Sequence, residues 1–309
     1  MISFKADSPH DIVLLSFSPD AGMLAVGLEH QRTEFRDPTT GDLLFAADTG
    51  SGRHSLFWGG PHRRTLHVNR YGHGIIPIDP DAGRVLPRLN GWVGSGPACF
   101  TSDGQYGINT RDTYRNGDFT CWKLTADGCK AVWSRPVDAK SLANYRTLHR
   151  FLPDDDHFAY TERRGHWSEG MTLVIASRTD ATELAEAEFP NQGVGYHGVS
   201  PDGTWLALGA AYGPSIHVYR ADDLTVKPVR LTNQSRKHYT SLAFHPSGQY
   251  MAATSNDATV TLFDTRTFAE VRTFTWKIGR LRSVAFSADG ALAAVGSDKG
   301  QVVVWDVDV

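Results

Sequence analysis

Cysteine is scarce in this chain, with three residues, Cys99, Cys121 and Cys129, among 309. Their number and spacing offer neither a zinc site nor an even disulfide framework. Cys121 and Cys129 flank the turn Thr125 to Gly128, a placement from which two thiols can face each other across a hairpin. Free thiols in a reducing cytoplasm are the expectation. Long apolar runs are also missing, and nothing approaches the eighteen or so residues that a membrane helix needs. The opening residues, Met1 to Asp7, lack a basic segment followed by an apolar core, so no secretory leader is read there. Neither sign of charge dominates. Thirty-one Lys and Arg against 34 Asp and Glu give −3 and a pI near 6.5, which argues against broad attraction to nucleic acid or an acidic membrane. Catalytic signatures are absent as well: no Gly-x-Ser-x-Gly, no His-Glu-x-x-His, no phosphate loop and no dinucleotide fingerprint.

What is present is repetition. Phe286 in VAFSADG, Phe244 in LAFHPSG, Val199 in HGVSPDG and Phe151 in RFLPDDD stand at matching points of successive units. Phe100 in CFTSDG, Trp58 in LFWGG and Phe17 in SFSPDAG extend the series to seven, at intervals of 41 to 51 residues. Each mark opens the same order: apolar strand, tight turn, second apolar strand, loop, then a third strand such as Val260 to Asp264 or Val302 to Asp306. A fourth strand follows in complete units, as in Glu270 to Phe274. Weak alternation, with both faces apolar or small, fits sheets sandwiched between neighbours. Four strands per unit at this period predict an all-β, seven-bladed β-propeller of four-stranded antiparallel blades, with residues 1–309 forming one domain.

The last unit, Arg280 to Val309, holds three strands and would leave an apolar edge open. Phe274 precedes its next mark by 12 residues and Phe4 precedes Phe17 by 13. Met1 to Ala6 is therefore expected to supply the missing fourth strand, with Ile2 and Phe4 facing inward.

Trp305-Asp306, Phe263-Asp264 and Ile78-Asp79 stand where the WD-repeat family places its Trp-Asp dipeptide, and the turns SADG, HPSG and SPDG resemble its first turn. The chain thus resembles a divergent seven-bladed WD-repeat propeller. The resemblance is close in the last two units and loose between about Arg53 and Lys237. It implies a stabilising His-Ser-Trp-Asp network, which no unit carries in full. Asp257 with His238 and Asp298 with Trp305 are the partial sets.

The resemblance also implies that the loops between second and third strands share one rim, the top face. In blades two to five these loops are enlarged and mix arginine with aromatics: Arg70 and Tyr71, Tyr114 and Arg115, Arg163, Arg164 and Trp167, then Tyr212. Such residues supply much of the energy in protein interfaces, and arginine adds a planar fork for carboxylates. The reading is a non-enzymatic scaffold, cytoplasmic and monomeric, that binds a protein or peptide bearing acidic groups and uses no cofactor. Its alternative is a propeller enzyme of hydrolase or lactonase type with a site at the central channel; inner strands ending in Ser, Gly, Ala and apolar residues argue against it. A third reading, nucleic acid on the arginine loops, is opposed by the charge balance. Asp154-Asp155-Asp156 before His157 is read as a solvated turn and not a metal site. His62, His67 and His73 are read as packing or surface residues.

Overall fold

The computed structural model describes the chain apart from residues 8–10, 52–53, 60–64, 71–73, 88, 93–97, 112–116, 126–127, 138–147, 165–169, 191–192, 211–212 and 308–309. The described strands form seven four-stranded sheets, each antiparallel and each in simple up-and-down order except the last. All seven sequence marks close the innermost strand of a blade: Ile12–Phe17, His54–Trp58, Ala98–Phe100, His149–Phe151, Val194–Val199, Tyr239–Phe244 and Leu281–Phe286. The tight turn after a mark is fixed by side chains. The Ser18 hydroxyl donates to Asp20 at 2.6 Å and accepts the Met23 N–H at 2.9 Å. Ser200 with Asp202 and Ser287 with Asp289 repeat the device at 2.5 Å. Gly203 and Gly290 follow at φ +75° and +76°, a conformation in which a Cβ is strained. This is the physical content of the recurring Ser-x-Asp-Gly.

The core is not one globule but a series of layers between neighbouring blades. Leu206, Leu208 and Tyr219 of blade five pack on Leu173, Ile175 and Phe189 of blade four. Val295, Val303 and Trp305 of blade seven pack on Ala252, Val260 and Leu262 of blade six. Phe35, Phe119, Phe158, Phe189 and Tyr219 are fully buried, each contributing about 1.5–3 kcal/mol of burial. Both faces of every blade being covered explains why the strands read as near-continuous apolar runs.

The first strand, Ile2–Lys5, completes blade seven beside Gln301–Asp306, with Ile2 opposite Val304 and Phe4 opposite Val302. Ile2 and Phe4 are half-buried and pack with Ala285, Ala294, Val302 and Val304, while Ser3 and Lys5 are exposed. The strand leads into a charged latch on blade one. Arg36 donates to Glu34 through Nε at 2.8 Å, to Asp7 at 2.8 Å and to the Gly41 carbonyl at 2.9 Å. Glu34 is fully buried and accepts the Asp7 N–H at 3.1 Å. The Arg36 guanidinium also lies over the Phe4 ring, 5.2 Å from its centre. Gly41, at φ +82°, leaves room for Phe4: a Cβ there would stand 2.8 Å from the ring. The seam of the ring is thus closed by strand pairing, apolar packing and a buried ion pair together.

Candidate functional site: the upper rim

The four connections do join second to third strands, but they are not all enlarged: blades three and four leave 112–116 and 163–170 between strands, whereas blade two leaves 71–73, no longer than 256–258 and 298–300 of blades six and seven. Blade two turns between Leu66–Arg70 and Gly74–Asp79, and blade three between Tyr106–Arg111 and Gly117–Thr125. Blade four turns between His157–Glu162 and Met171–Ser177, and blade five between Trp205–Ala210 and Ser215–Arg220. All four connections therefore emerge from the same end of their blades. Of the eight rim residues singled out from sequence, Tyr71, Tyr114, Arg115, Trp167 and Tyr212 lie outside the described residues. Arg70 ends its strand opposite Gly74. Arg163 is half-buried and Arg164 exposed.

Arg164 is engaged by its own blade. Its Nε donates to Glu162 at 2.5 Å and one terminal nitrogen to Glu183 at 2.6 Å, while the other meets Glu186. The same Glu183 accepts from Arg135 of blade three at 2.9 Å and from the Tyr160 hydroxyl at 2.8 Å. Arg135 also donates to that hydroxyl at 2.7 Å. Burial opposes the charge on Arg135, but its bonds to Tyr160 and Glu183 outweigh that and hold the guanidinium above its ordinary range. Burial likewise works against the Glu183 carboxylate, yet Tyr160, Arg135 and Arg164 keep it below its ordinary range. Two arginines against three glutamates leave this flank net negative. The network is a seam between blades three and four, and sequence reading missed it. Its signal was the pair of outward carboxylates in Glu183-Leu-Ala-Glu186 on an edge strand.

The remaining sequence candidates resolve into structure. Asp154 accepts the His157 N–H at 3.0 Å and its ring Nδ1 at 2.6 Å. Asp155 accepts the Ser102 N–H at 2.8 Å, and Asp156 pairs with Arg178 at 2.8 Å. Each carboxylate of the triplet is thus engaged within the fold, as a turn requires. His67 is buried opposite Pro77, and burial lowers its pKa to about 4; His62 and His73 lie outside the described residues. The three cysteines are buried and free. Cys121 registers with Trp133, and Cys129 with Leu124, so the two do not face each other as the hairpin placement allowed.

The partial His-Ser-Trp-Asp sets are rearranged too. Asp257 accepts from Ser235 and from Thr259, each at 2.5 Å, while Ser255 donates to the His238 carbonyl at 3.1 Å. Asp298 accepts the Arg280 N–H at 3.0 Å and does not reach the Trp305 indole. That indole packs on Trp276 at 4.7 Å instead, and its Nε1 has no hydrogen-bond partner among the described residues. In blade three a substitute operates: the Trp122 indole donates to buried Asn109 at 2.8 Å.

With this geometry in place, comparison with known proteins is informative. The family pattern of the WD domain, G-beta repeat, matches residues 229–264 and 269–306. Each match begins on the outer strand of one blade and ends on the third strand of the next. That stagger is the reason an N-terminal strand must complete the last blade. The chain is 25% identical over 142 residues to the serine-threonine kinase receptor-associated protein of Rattus norvegicus, covering 46% of this chain and 39% of that protein. It is 32% identical over 113 residues to U3 small nucleolar RNA-associated protein 18 of Saccharomyces cerevisiae, covering 34% and 19%. It is 27% identical over 108 residues to pre-mRNA-processing factor 19 homolog 2 of Arabidopsis thaliana, covering 35% and 18%. The matched stretches thus span well under two thirds of the length of these relatives. The chain is a seven-bladed β-propeller in which two units match the WD-repeat pattern, and the second of them lies at the seam where the ring closes.

Proposed function

We propose that the protein is a non-enzymatic scaffold that binds a protein or peptide across the top rim of blades two to five. The observation that carries this reading is the grouping of aromatic- and arginine-bearing connections at one end of four adjacent blades, those of blades three and four being the longest. The turns of blades six and seven at that end, Ser255 to Ala258 and Ser297 to Gly300, carry neither arginine nor an aromatic residue. The names of two relatives describe proteins associated with a receptor or with an RNA, which fits an assembly role. Aromatic anchors, Tyr71, Tyr114, Trp167 and Tyr212, would supply buried area at the contact. Arg70, Arg115 and Arg163 would pair with carboxylates of the partner. Arg164 has a different part: with its donors on Glu162, Glu183 and Glu186, it stiffens the rim's base.

The test replaces Tyr114, Arg163 and Trp167 together by alanine and compares quantitative affinity capture with the wild-type chain. Loss of specific partners, with the melting temperature unchanged, supports the rim. An unchanged capture profile refutes it.

A further inference from the structure

The turns between first and second strands lie at the end of the blades away from the rim, and there neighbouring blades touch. The Ser102 N–H of blade three donates to Asp155 of blade four at 2.8 Å, and the Ser102 hydroxyl donates to the same carboxylate at 2.5 Å. Pro153 of blade four lies against Gly203 of blade five, where a Cβ would stand 3.2 Å from the proline ring. His245 of blade six meets the Gly290 carbonyl of blade seven at 3.0 Å, and its ring would stand 2.6 Å from a Cβ on that glycine. Between blades five and six the matching position is open. A Cβ on Gly248, the turn glycine of blade six, would meet nothing within 4 Å.

That opening belongs to a cleft of about 500 Å³, within the size range of ligand sites. Blade five lines it with Pro201, Asp202 and Trp205, and blade six with Pro246, Gly248 and Arg266. Trp205 is half-buried and stands edge-on to buried Phe268, ring centres 4.9 Å apart, so the indole is held in place. Among the described residues nothing accepts from its indole N–H. Asp202 accepts the Ser200 hydroxyl at 2.5 Å, the Thr204 N–H at 3.1 Å and the Thr204 hydroxyl at 2.7 Å. All three donors are neutral, and among the described residues no cation pairs with this carboxylate. Arg266, by contrast, is matched by Asp264 at 3.1 Å. The cleft therefore offers an aromatic face, two proline rings, one open N–H donor and one uncompensated negative charge.

We propose that this cleft binds an extended, proline-containing segment of a partner protein, with a basic residue beside the proline. A polyproline II segment keeps its carbonyls free to accept the Trp205 N–H, and its rings dock on aromatic walls with little conformational entropy to lose. The basic side chain complements Asp202. The site lies at the opposite end of the blades from the rim and does not rest on the rim's role.

The experiment titrates the full chain with the capped peptide acetyl-Ala-Pro-Pro-Arg-Pro-amide. Heat is followed together with the Trp205 indole N–H resonance, assigned by its absence in Trp205→Phe. Saturable binding with a shift of that resonance is expected. A peptide with glutamate for arginine, or with alanine for every proline, should bind at least about fivefold more weakly. Asp202→Asn keeps an acceptor oxygen for Ser200 and Thr204 and should lose about two- to fivefold in affinity for the arginine peptide. Gly248→Asn fills the open space with a residue that tolerates positive φ, and should abolish binding. The peptide comparisons use the unaltered chain, so they decide the matter whatever the stability of the variants. If the wild type does not bind the arginine peptide, or binds the glutamate or alanine peptide as tightly, the proposal is overturned. Undiminished binding by a folded Gly248→Asn overturns it as well.

Discussion

Replacing Arg36 by alanine tests the latch at the ring seam. Glu34 is fully buried, and Arg36 retains only 5% of its exposure. Without the guanidinium, Glu34 keeps only the Asp7 N–H at 3.1 Å and the more distant Arg32 Nε at 3.6 Å. Removing one partner of a buried pair costs about 3–5 kcal/mol, because the other charge stays desolvated. The Gly41 carbonyl and the face of Phe4 lose their contacts as well. Against a whole-domain stability of about 5–15 kcal/mol, that is a large fraction. Equilibrium urea unfolding should show a lowered midpoint with an unchanged slope. The double variant Arg36→Met with Glu34→Leu removes both charges and should cost much less than the single one. A loss below about 1 kcal/mol in Arg36→Ala, or a double variant worse than the single, would refute the argument. Asp7→Asn gives an internal scale: its side chain is 46% exposed, so the cost should stay at or below about 1 kcal/mol.

Two further predictions follow from buried titratable groups. Burial lowers the pKa of His67 to about 4 and of His149 and His197 to about 3, all below the unfolded value of 6.5. The unfolded chain therefore binds more protons between about pH 6.5 and 3, and stability is fully present above pH 6.5 and declines as pH falls through that window. Each histidine contributes up to about 1.4 kcal/mol per pH unit, and His67→Phe should flatten the profile in urea midpoints measured from pH 7 to 4. The Cys99 and Cys129 thiols, pushed up by burial to about 12 and about 11, should resist alkylation in the native protein at pH 8. All three cysteines should react in denaturant, and rapid native labelling would contradict their burial.

The fold was legible because its determinants are local and repeated. Ser200 and Asp202, or Ser287 and Asp289, write the same turn each time, and a turn at fixed spacing sets the strand that precedes it. The open edge of Gln301–Asp306 likewise required a partner, and only Met1 to Ala6 stood at the right distance from a mark. The side-chain networks were not legible, because they join residues of different repeats. Nothing near Arg135 in the sequence announces Glu183, 48 positions away and one blade over. The Glu34–Arg36 pair was hidden for another reason: charges two apart on a strand usually mark a solvated face, and here that face is covered by the incoming N-terminal segment. Arg164 illustrates the same limit at the rim. Its loop and exposure were readable, but its three carboxylate partners were not. The Asp298–Trp305 expectation failed: Asp298 accepts the Arg280 N–H instead, and the Trp305 indole packs on Trp276 of the preceding connection.

Closure of the ring by the first strand is the claim on which the rest depends, and amide hydrogen exchange measures it directly. The Ala6 N–H bond to the Gly300 carbonyl, 2.8 Å, sets the phase of the ladder, so the amides of Val302 and Val304 donate to Phe4 and Ile2. In the intact chain these two amides should be protected as strongly as that of Val303, which pairs inward with Val295. Arg36→Ala should weaken the protection of Val302 and Val304 before that of Val303. If Val302 and Val304 exchange in the intact chain like the amides of a bare edge strand, the ring is not closed by Met1 to Ala6.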